Sequence, residues 1–459
     1  MITKKTKIVC TIGPATSSVE KLGELLVAGM NVVRLNFSHG DFAEHQGKVD
    51  NLVKAMKKTG LPCAVMQDLS GPKIRTGEFE KGIITLKEGQ KFTLTTEKIM
   101  GNEERVSVNY APLPKEVKKG GTIMIHDGKR KLEIIDIKGN EVICKVIVGG
   151  EIKSRRGINL PGAYLSISSL TDKDKSDIAF GIKNNVDFFA FSFVRRAADA
   201  LELRAILDKN KSKAKIIAKI EDVEGLENYD QLLEVVDGVM VARGDLAIEI
   251  GAENVPLAQK EMIEKCNKAG KFVITATHML ETMIKNPVPT RAEVSDIANA
   301  ILDGTDAIML SEETTLGDFP IEAVQTMTRV AQKIEESERF HIHRNGSIHT
   351  GTPFDLIAES AVACAEGGDA KLIIVVTDSH DEAQAIASVK PHCPVLVATT
   401  SQAVANQINA GFALYPMVLK KGEGLKEAKA YALKLKHIKK GDTIIALSDK
   451  ECSVSIQTV

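Results

Sequence analysis

The chain has 459 residues, too many for one compact domain, so we expect two or three. Its 60 basic and 61 acidic residues nearly cancel and Trp is absent, which argues against a nucleic-acid partner or a charged membrane surface. Seven scattered cysteines without a CxxC pair, no apolar run long enough to span a membrane and no secretory leader predict a reducing, cytoplasmic location.

Residues 1–70 alternate short apolar runs with helical patterns. The runs predict strands at 7–11, 31–37 and 63–69, and apolar residues at helical spacing predict helices at 17–28 and 41–58. This alternation is typical of an α/β domain with parallel strands, and we take residues 1–70 as its first part.

Residues 71–156 differ in kind, because they are rich in Gly, Lys and Thr and carry strand signals without helices between them. The predicted strands are 83–85, 91–95, 122–125, 132–137 and 142–148. Such spacing is typical of a small β barrel or sandwich. We therefore expect an all-β domain inserted after the third strand of the α/β domain.

The α/β alternation resumes over residues 157–340. It predicts strands at 186–191, 216–220, 238–242, 272–276 and 306–310, and helices at 171–184, 197–209, 222–235, 256–269, 290–302 and 320–336. Thr171 and Thr290 open two of these helices with capping boxes. Eight strands in unbroken order, and about 245 residues without the insertion, favour a (β/α)8 TIM barrel over a doubly wound open sheet.

Residues 341–459 form a third unit. The stretch 341–352 carries three His and is more typical of an exposed linker than of a metal site. Helices are predicted at 355–366, 382–389, 402–408 and 425–435, and strands at 372–377, 395–398 and 443–447. This pattern indicates a separate C-terminal open-sheet α/β domain.

Two acidic residues follow neighbouring predicted strands of the barrel. Glu221 directly follows the predicted strand 216–220, and Asp245 comes three residues after the predicted strand 238–242. Adjacent parallel strands bring the two carboxylates together, and Mg²⁺ accepts such oxygen ligands along with substrate oxygens. Lys219 adds a cation beside them. Acids at strand ends also serve as helix caps or solvated loop residues, so these residues alone leave both interpretations open.

Further polar residues follow the other predicted strands. Because the carboxyl ends of TIM-barrel strands form the active-site face, we expect one cluster there. Its members are Arg34, Asn36, Ser38, Asp68, Ser192, Lys219, Glu221, Asp245, Thr277 and Ser311. The insertion leaves from the same face, as a lid would.

Six motifs carry a family resemblance. They are KTKIVCTIGP at 5–14, NVVRLNFSHG at 31–40, GPKIRTG at 71–77, AKIE at 218–221, MVARGDL at 240–246 and NPVPTRAE at 286–293. They resemble motifs of the pyruvate kinases, whose barrel, lid and C-terminal domain follow in the same order. The resemblance implies transfer of a phosphoryl group from phosphoenolpyruvate to ADP, the last step of glycolysis, with Mg²⁺ (or Mn²⁺) as cofactor, in a homotetramer.

The resemblance also implies residue roles. Glu221 and Asp245 would hold Mg²⁺, while Lys219 and Arg34 would neutralise charge on the transferring group. The N–H groups of Gly244 and Asp245, at the start of a helix, would receive the substrate carboxylate.

Other implied roles concern the proton and the nucleotide. Ser192 would contact the substrate, and Thr277 would orient a water near the enolate carbon with Ser311 and Glu313 behind it. Residues expected near the nucleotide, between barrel and lid, are Pro14, His39, Arg75 and Arg156. For His39, a structural hydrogen bond near a strand end is the alternative.

The sequence departs from the family pattern at its K⁺ site. Many members hold K⁺ with residues matching Asn36, Ser38 and Asp68 and a Thr at position 69. Here Leu69 lacks the hydroxyl, and Lys73 stands where Glu is usual. One unit charge at ~4 Å and an effective dielectric of ~20 contributes ~4 kcal/mol, so we expect the Lys73 ammonium to replace K⁺. The alternative is that Lys73 faces solvent at the lid hinge.

A second departure lies in the C-terminal domain. Regulated members bind fructose 1,6-bisphosphate through a Ser/Thr-Gly-Arg-Ser/Thr loop, but residues 377–382 are TDSHDE with three acids, and 447–452 lack an Arg-Pro-Gly-Ser-Gly loop. We therefore expect no activation by that sugar.

Smaller departures at His278, Glu312 and Leu316 affect the nucleotide contact and the proton path. Two rival hypotheses are a metal-dependent lyase and a non-catalytic metabolite sensor. ADP-dependent formation of pyruvate would distinguish a pyruvate kinase from both.

Overall fold

A computed structural model describes residues 4–337, 340, 352–448 and 453–459. The first elements are β1 (Lys7–Thr11), α1 (Val19–Ala28), β2 (Val32–Asn36), α2 (Phe42–Thr59) and β3 (Ala64–Asp68). The side chains of Ser18 and Asp41 cap the two helices by accepting a backbone N–H of the first turn. All five elements lie within two residues of their predicted bounds.

The inserted domain follows β3. It contains β4 (Ile83–Leu86), β5 (Lys91–Thr95), β6 (Arg105–Ser107), α3 (Leu113–Glu116), β7 (Thr122–Ile125), β8 (Arg130–Lys138), β9 (Glu141–Val148), β10 (Gly150–Lys153) and β11 (Ile158–Asn159). A six-stranded sheet in the order β11-β7-β8-β9-β5-β6 and a β10-β4 pair enclose one apolar core. The pairing is antiparallel except between β5 and β6. The sequence did not predict β6 and β11, which are too short to show an alternating pattern, or β10, which has one large apolar residue, Ile152.

The second part of the barrel adds five strands, each followed by helix. The strands are β12 (Phe188–Phe191), β13 (Lys215–Ile220), β14 (Gly238–Ala242), β15 (Phe272–Ala276) and β16 (Ala307–Leu310). The helices are α4 (Asp172–Lys183), α5 (Ala197–Lys209), α6 (Val223–Glu227), α7 (Tyr229–Val235), α8 (Arg243–Ile250), α9 (Val255–Lys268), α10 (Arg291–Leu302), α11 (Glu312–Thr315) and α12 (Pro320–Glu335). The capping boxes predicted at Thr171 and Thr290 are confirmed.

The prediction of one helix over 222–235 is wrong. The chain makes two helices there, α6 and α7, which meet at Asn228 with φ −92° and ψ 12°. The Asn228 amide donates to the backbone oxygen of Arg195 at 3.0 Å. This tertiary hydrogen bond lies outside the local pattern, so the periodicity of the apolar residues gave no sign of the break.

The eight parallel strands close into a barrel, because β1 pairs with both β2 and β16. The predicted (β/α)8 architecture is confirmed. Buried side chains such as Phe188, Met240 and Ile274 fill the interior, and a second apolar layer separates the strands from the helices. Burying each large apolar side chain contributes about 1.5–3 kcal/mol. The closed barrel therefore holds its strand ends rigidly at one face.

The C-terminal domain is an open α/β sheet, as predicted. Its elements are α13 (Pro353–Gly367), β17 (Leu372–Val376), α14 (His380–Ser388), β18 (Val395–Thr399), α15 (Gln402–Gln407), β19 (Leu414–Val418), α16 (Leu425–Lys434), β20 (Thr443–Ser448) and β21 (Ser453–Thr458). The strand order is β19-β18-β17-β20-β21, and only β21 runs antiparallel to its neighbour. The sequence did not predict β19, which contains Pro416, or the polar strand β21. Except for Thr352, the predicted His-rich linker lies outside the described residues.

The C-terminal domain contacts the end of the barrel where the strands begin. Asp306, just before β16, is fully buried and pairs with the Lys390 ammonium at 2.9 Å. The same carboxylate accepts the Phe412 N–H at 3.0 Å. This end is opposite to the carboxyl ends of the strands, so the C-terminal domain leaves that face free for the inserted domain. In the part of the chain described, no helix combines the length and apolar character of a membrane span.

Candidate active site

A cleft of about 280 Å³ lies between the carboxyl ends of the barrel strands and the inserted domain. The two connections to that domain run side by side, since Thr76 donates its N–H to Arg156 at 2.9 Å and Ile158 donates to Ile74 at 2.9 Å. Predicted site residues that line the cleft are Arg34, Asn36, Ser38, Asp68, Lys73, Arg75, Arg156, Ser192, Lys219, Glu221 and Asp245. A larger cavity of about 760 Å³ lies away from these strand ends, between α7, α9 and the C-terminal domain.

Asp68 is the centre of a buried charge cluster. Its Oδ2 accepts the Arg34 Nε–H at 2.6 Å, and its Oδ1 accepts the Lys219 ammonium and the Ser192 hydroxyl, each at 3.2 Å. Lys219 also donates to Ser192 Oγ at 2.6 Å. Burial alone would raise the pKa of Asp68, but Arg34 and Lys219 outweigh it and lower that pKa. The cluster therefore holds two cations around one carboxylate at the floor of the cleft.

Glu221 and Asp245 follow adjacent strands, as predicted, since β13 pairs with β14. Glu221 Oε1 lies 2.9 Å from the Lys219 ammonium, and Oε2 accepts the Phe193 N–H at 2.7 Å. Burial raises the pKa of both carboxyls, while Lys219 opposes that rise. A buried acid and a half-buried one that both resist ionisation side by side favour a neighbouring cation.

The residues present fit a hard divalent ion. Among the described residues the Asp245 carboxylate accepts no hydrogen bond, so its oxygens are available as ligands. That same part of the chain contains no cluster of three or more His, Cys, Asp and Glu suited to a metal. Two carboxylate ligands are what Mg²⁺ takes when substrate oxygens and water complete its shell.

Helix α8 begins at this site. Its N-cap residue Ala242 has no side-chain oxygen, and the N–H of Gly244 instead donates to the Thr277 hydroxyl at 2.9 Å. Thr277 and His278 both have left-handed backbone, with φ of 69° and 55°. The turn after β15 therefore places the Thr277 hydroxyl against the first turn of α8, beside Asp245.

Ser311 and Glu313 stand on the next turn, after β16. Glu313 is buried, and its carboxylate accepts the N–H groups of Leu280 at 3.0 Å and of Ser311 at 2.7 Å. Burial raises the pKa of Glu313. Within the described residues, the Thr277 hydroxyl bonds to Gly244 and Ala276 rather than to Ser311 or Glu313. Glu313 thus joins two turns, and a relay to Thr277 would need a water between them.

Lys73 reaches the residues of the predicted monovalent-cation region. Its ammonium donates to Ser38 Oγ at 3.0 Å, and the Ser38 N–H donates to Asn36 Oδ1 at 3.0 Å. Desolvation, followed by the charge of Lys219, lowers the pKa of Lys73, while Glu221 raises it. Lys73 therefore lies among the site charges, although the residue as a whole is exposed to solvent. Leu69 is buried and donates its N–H to Ala190 at 2.9 Å.

The predicted nucleotide residues are only partly brought together. Arg75 and Arg156 line the cleft from the paired connections. Burial, with Lys73 and Arg75 next, lowers the pKa of His39, which lies near these cations. Pro14 lies in the turn between β1 and α1. The following residue, Ala15, donates its N–H to the Thr315 carbonyl oxygen at 3.0 Å. That turn packs on α11 and is not among the residues that line the cleft.

Sequence reasoning missed several cleft residues, among them the charged residues Asp127, Arg195 and Glu249. Asp127 lies in a lid turn with left-handed backbone, and Arg195 donates to the carbonyl oxygens of Leu165 and Ile167 in the chain returning from the lid. Burial raises the pKa of Glu249 to about 7. None of them follows a barrel strand directly, so the rule that located the other residues did not apply.

Comparison with known proteins agrees with this geometry. The family described as pyruvate kinase, barrel domain, matches residues 3–324, and pyruvate kinase, alpha/beta domain, matches residues 355–458. The chain belongs to the pyruvate kinase family. A pyruvate kinase of Geobacillus stearothermophilus is 44% identical over 96% of this chain and 77% of its own length. One of Clostridium perfringens is 41% identical over 98% of both chains.

The fold agrees at the level of the whole chain. The crystal structure of a pyruvate kinase from Cryptosporidium parvum matches with a TM-score of 0.94 and 40% identity, over 99% of this chain and 96% of that one. The barrel, the inserted domain and the C-terminal domain are therefore those of a pyruvate kinase.

Proposed function

We propose that this member of the pyruvate kinase family transfers the phosphoryl group of phosphoenolpyruvate to ADP, giving pyruvate and ATP, through the residues of the cleft. The observation that carries the proposal is the buried set of Arg34, Asp68 and Lys219 beside Glu221 and Asp245, beneath an inserted lid. Phosphoryl transfer depends on positioning and charge stabilisation, and this set supplies fixed charges in a place shielded from bulk water.

Glu221 and Asp245 would hold Mg²⁺, for which Mn²⁺ would substitute. When bound, the ion would stabilise negative charge on the substrate. The Phe193 N–H fixes one oxygen of Glu221, so that carboxylate is already oriented.

Lys219 and Arg34 would neutralise the charge of the transferring group. Both are held by Asp68, and Lys219 also contacts Glu221 at 2.9 Å. The substrate carboxylate would lie at the start of α8 and accept the Asp245 N–H, since the Gly244 N–H already donates to the Thr277 hydroxyl, with Ser192 among the remaining contacts.

Thr277 would hold a water near the carbon that takes up the proton. An alcohol is too weak an acid to donate alone, so the proton comes from solvent through that water. Ser311 and Glu313 would support the turn behind it.

We further propose that activity does not need K⁺, with Lys73 in its place among Asn36, Ser38, Asp68 and Leu69. The 3.0 Å hydrogen bond from Lys73 to Ser38 supports this. ADP would lie between barrel and lid near Arg75, Arg156 and His39; a contact with Pro14 has less support, because its turn packs on α11.

Fructose 1,6-bisphosphate is proposed not to activate the enzyme. The Asp378 carboxylate accepts the Thr399 and Thr400 hydroxyls and the Thr400 N–H, each at 2.6 Å. A fixed carboxylate where the loop after β17 meets the loop after β18 repels a phosphate. The homotetramer and the cytoplasmic location rest on the resemblance and on the cysteine pattern, and they stay predictions.

The test is pyruvate formation from phosphoenolpyruvate, ADP and Mg²⁺, with tetramethylammonium as the only monovalent cation and then with K⁺. We expect full activity in both buffers and no change on adding fructose 1,6-bisphosphate. Activity only with K⁺ would keep the reaction and remove Lys73 from its role. Absence of pyruvate in both buffers would refute the reaction, leaving a lyase if phosphoenolpyruvate is cleaved without ADP and a sensor if it only binds.

A further inference from the structure

The turn after β15 is strained where it carries Thr277. Thr277 and His278 have φ of 69° and 55°, the left-handed region that β-branched side chains avoid. Such a residue carries a conformational cost and persists only when its surroundings fix it. A strained pair beside the proposed substrate therefore calls for an identifiable support.

Arg243 supplies that support from the start of α8. Its Nε donates to the carbonyl oxygen of Ala276 at 3.1 Å, and its Nη2 donates to that of Thr277 at 2.8 Å. The guanidinium thus holds two successive carbonyls of the strained turn. Its side chain is only 13% exposed, so these hydrogen bonds are largely protected from water.

Asp296, on α10, fixes Arg243 in turn. Its two carboxylate oxygens accept Nη1 at 2.6 Å and Nη2 at 2.7 Å, a two-point contact that sets the plane of the guanidinium. The side-chain oxygen of Gln259, Oε1, also accepts a hydrogen bond from Nη1, at 3.4 Å. Lysine at position 243 would keep the charge but has no planar fork with which to reach the carboxylate and both carbonyls.

The consequence appears at the Thr277 hydroxyl. With both carbonyls held, the hydroxyl accepts the Gly244 N–H at 2.9 Å and donates to Ala276 at 2.7 Å. Since Ala242 has no side chain that caps α8, Thr277 serves as the cap from the neighbouring strand. Arg243 therefore ties the start of α8 and the Thr277 turn into one unit.

We propose that Arg243 and Asp296 are positioning residues for the proton-transfer half of the reaction, acting through Thr277. This rests on the proposed function. Once the phosphoryl group has left, carbon 3 of the enolate takes one proton from a solvent-derived water, and solvent reprotonates the hydroxide left behind. The electron pair on the enolate oxygen forms the carbonyl as the carbon–carbon double bond supplies the new C–H bond. The position of Thr277 decides where that water lies, and displacement by about 1 Å costs on the order of 10²-fold in rate.

The variants Arg243→Lys and Asp296→Asn test the proposal in the full-length protein. The readout is the exchange of pyruvate methyl hydrogens with D₂O, followed by NMR with Mg²⁺ and inorganic phosphate present. We expect each variant to slow this exchange by about 30-fold or more, with KM for phosphoenolpyruvate within about threefold of wild type. The double variant is expected to lose no more than the worse single one, because the two residues act as a unit.

The matched control is Arg204→Lys, which alters another partly buried Arg–Asp pair, with Asp237, at the opposite end of the barrel. It is expected to leave the exchange rate unchanged. Should Arg243→Lys not fold, Asp296→Asn and Asp296→Glu, each checked by thermal unfolding, carry the test. Unchanged exchange, a rise in KM without slower exchange, or additive losses would each overturn the proposal. A wild-type protein that forms no pyruvate would instead overturn the proposed function.

Discussion

The Lys73 ammonium and the Ser38 hydroxyl are 3.0 Å apart, which links the lid side of the cleft to the loop after β2. If this ammonium takes the place of K⁺, Lys73→Glu removes a cation and makes activity depend on added K⁺. We expect activity in tetramethylammonium buffer to fall at least tenfold and to recover in part with K⁺. One unit charge at ~4 Å sets an upper limit of ~4 kcal/mol.

Lys87→Glu is the control for this charge reversal. Lys87 lies between β4 and β5 and is exposed, away from the cleft. Equal rates for Lys87→Glu with and without K⁺ are expected. If the rate of Lys73→Glu were also equal with and without K⁺, the proposal that the Lys73 ammonium replaces K⁺ would be refuted.

Lys219 and Lys215 offer a comparison on one strand. Lys219→Met removes the ammonium beside Asp68 and Glu221, and we expect the rate of pyruvate formation to fall on the order of 10²–10³-fold. Lys215, at the other end of β13, pairs with Asp237 and Asp381. Lys215→Met is expected to lower the melting temperature while kcat stays within about twofold. A similar fall in kcat for both variants would mean that the charge of Lys219 does not act specifically on the phosphoryl transfer.

The metal assignment predicts a binding defect that is measurable without turnover. Glu221→Gln and Asp245→Asn each remove one charged oxygen ligand, and affinity for a hard ion follows the charge of its ligands. We expect the Kd for Mn²⁺, measured by electron paramagnetic resonance, to rise at least about tenfold in each. Glu227→Gln, whose carboxylate accepts only the Tyr164 hydroxyl in the described contacts, is the control. Wild-type Kd values in both site variants would exclude these carboxylates as ligands.

Asp187 predicts a pH-dependent stability. Burial raises the pKa of Asp187 to about 7, whereas an unfolded Asp titrates near about 3.9. Between these values the folded chain keeps a proton that the unfolded chain has lost. Stability therefore falls as the pH rises through this window and changes no further above it, by on the order of 4 kcal/mol for this group.

Asp187→Asn removes that titration and keeps an oxygen for the Val65 N–H, which Asp187 accepts at 2.8 Å. We expect the variant to be more stable than wild type at pH 8 and to lose this advantage at pH 5, as measured by thermal unfolding. Asp208→Asn, exposed on α5, should show no such trend. A difference between Asp187→Asn and wild type that is constant with pH would contradict the assignment.

The barrel was predictable because its strands are buried on both faces. The run 238–242 is continuously apolar, 216–220 is apolar except for Lys219, and the helices near them show a clear period. In contrast, β10 has a single apolar residue, Ile152, and owes its place to pairing with β4. Short strands at the edge of an inserted domain carry too little local signal to be found.

The site divides in the same way. Glu221 and Lys219 were predictable from their position at a strand end, because the strand alone places them at the carboxyl-end face of the barrel. The support of Thr277 by Arg243 and Asp296 was not, because it joins positions 53 residues apart through side-chain geometry. Asp68 was expected in the strand-end cluster and near a monovalent cation, but its ion pairs with Arg34 and Lys219 were not predicted and emerged from the packing of the strands.

The closure of the barrel has a consequence for the chain during its synthesis. The last barrel strand pairs with the first, as Lys7 aligns with Ala307, so one edge of β1 has no partner until the ribosome has made β16. At about 5–20 residues per second, the delay is roughly 15–60 s. For that time the nascent chain exposes an unpaired apolar strand, a template for pairing with other chains. Protection of this edge by chaperones, rather than the stability of the finished enzyme, would then limit how much folded protein a cell obtains.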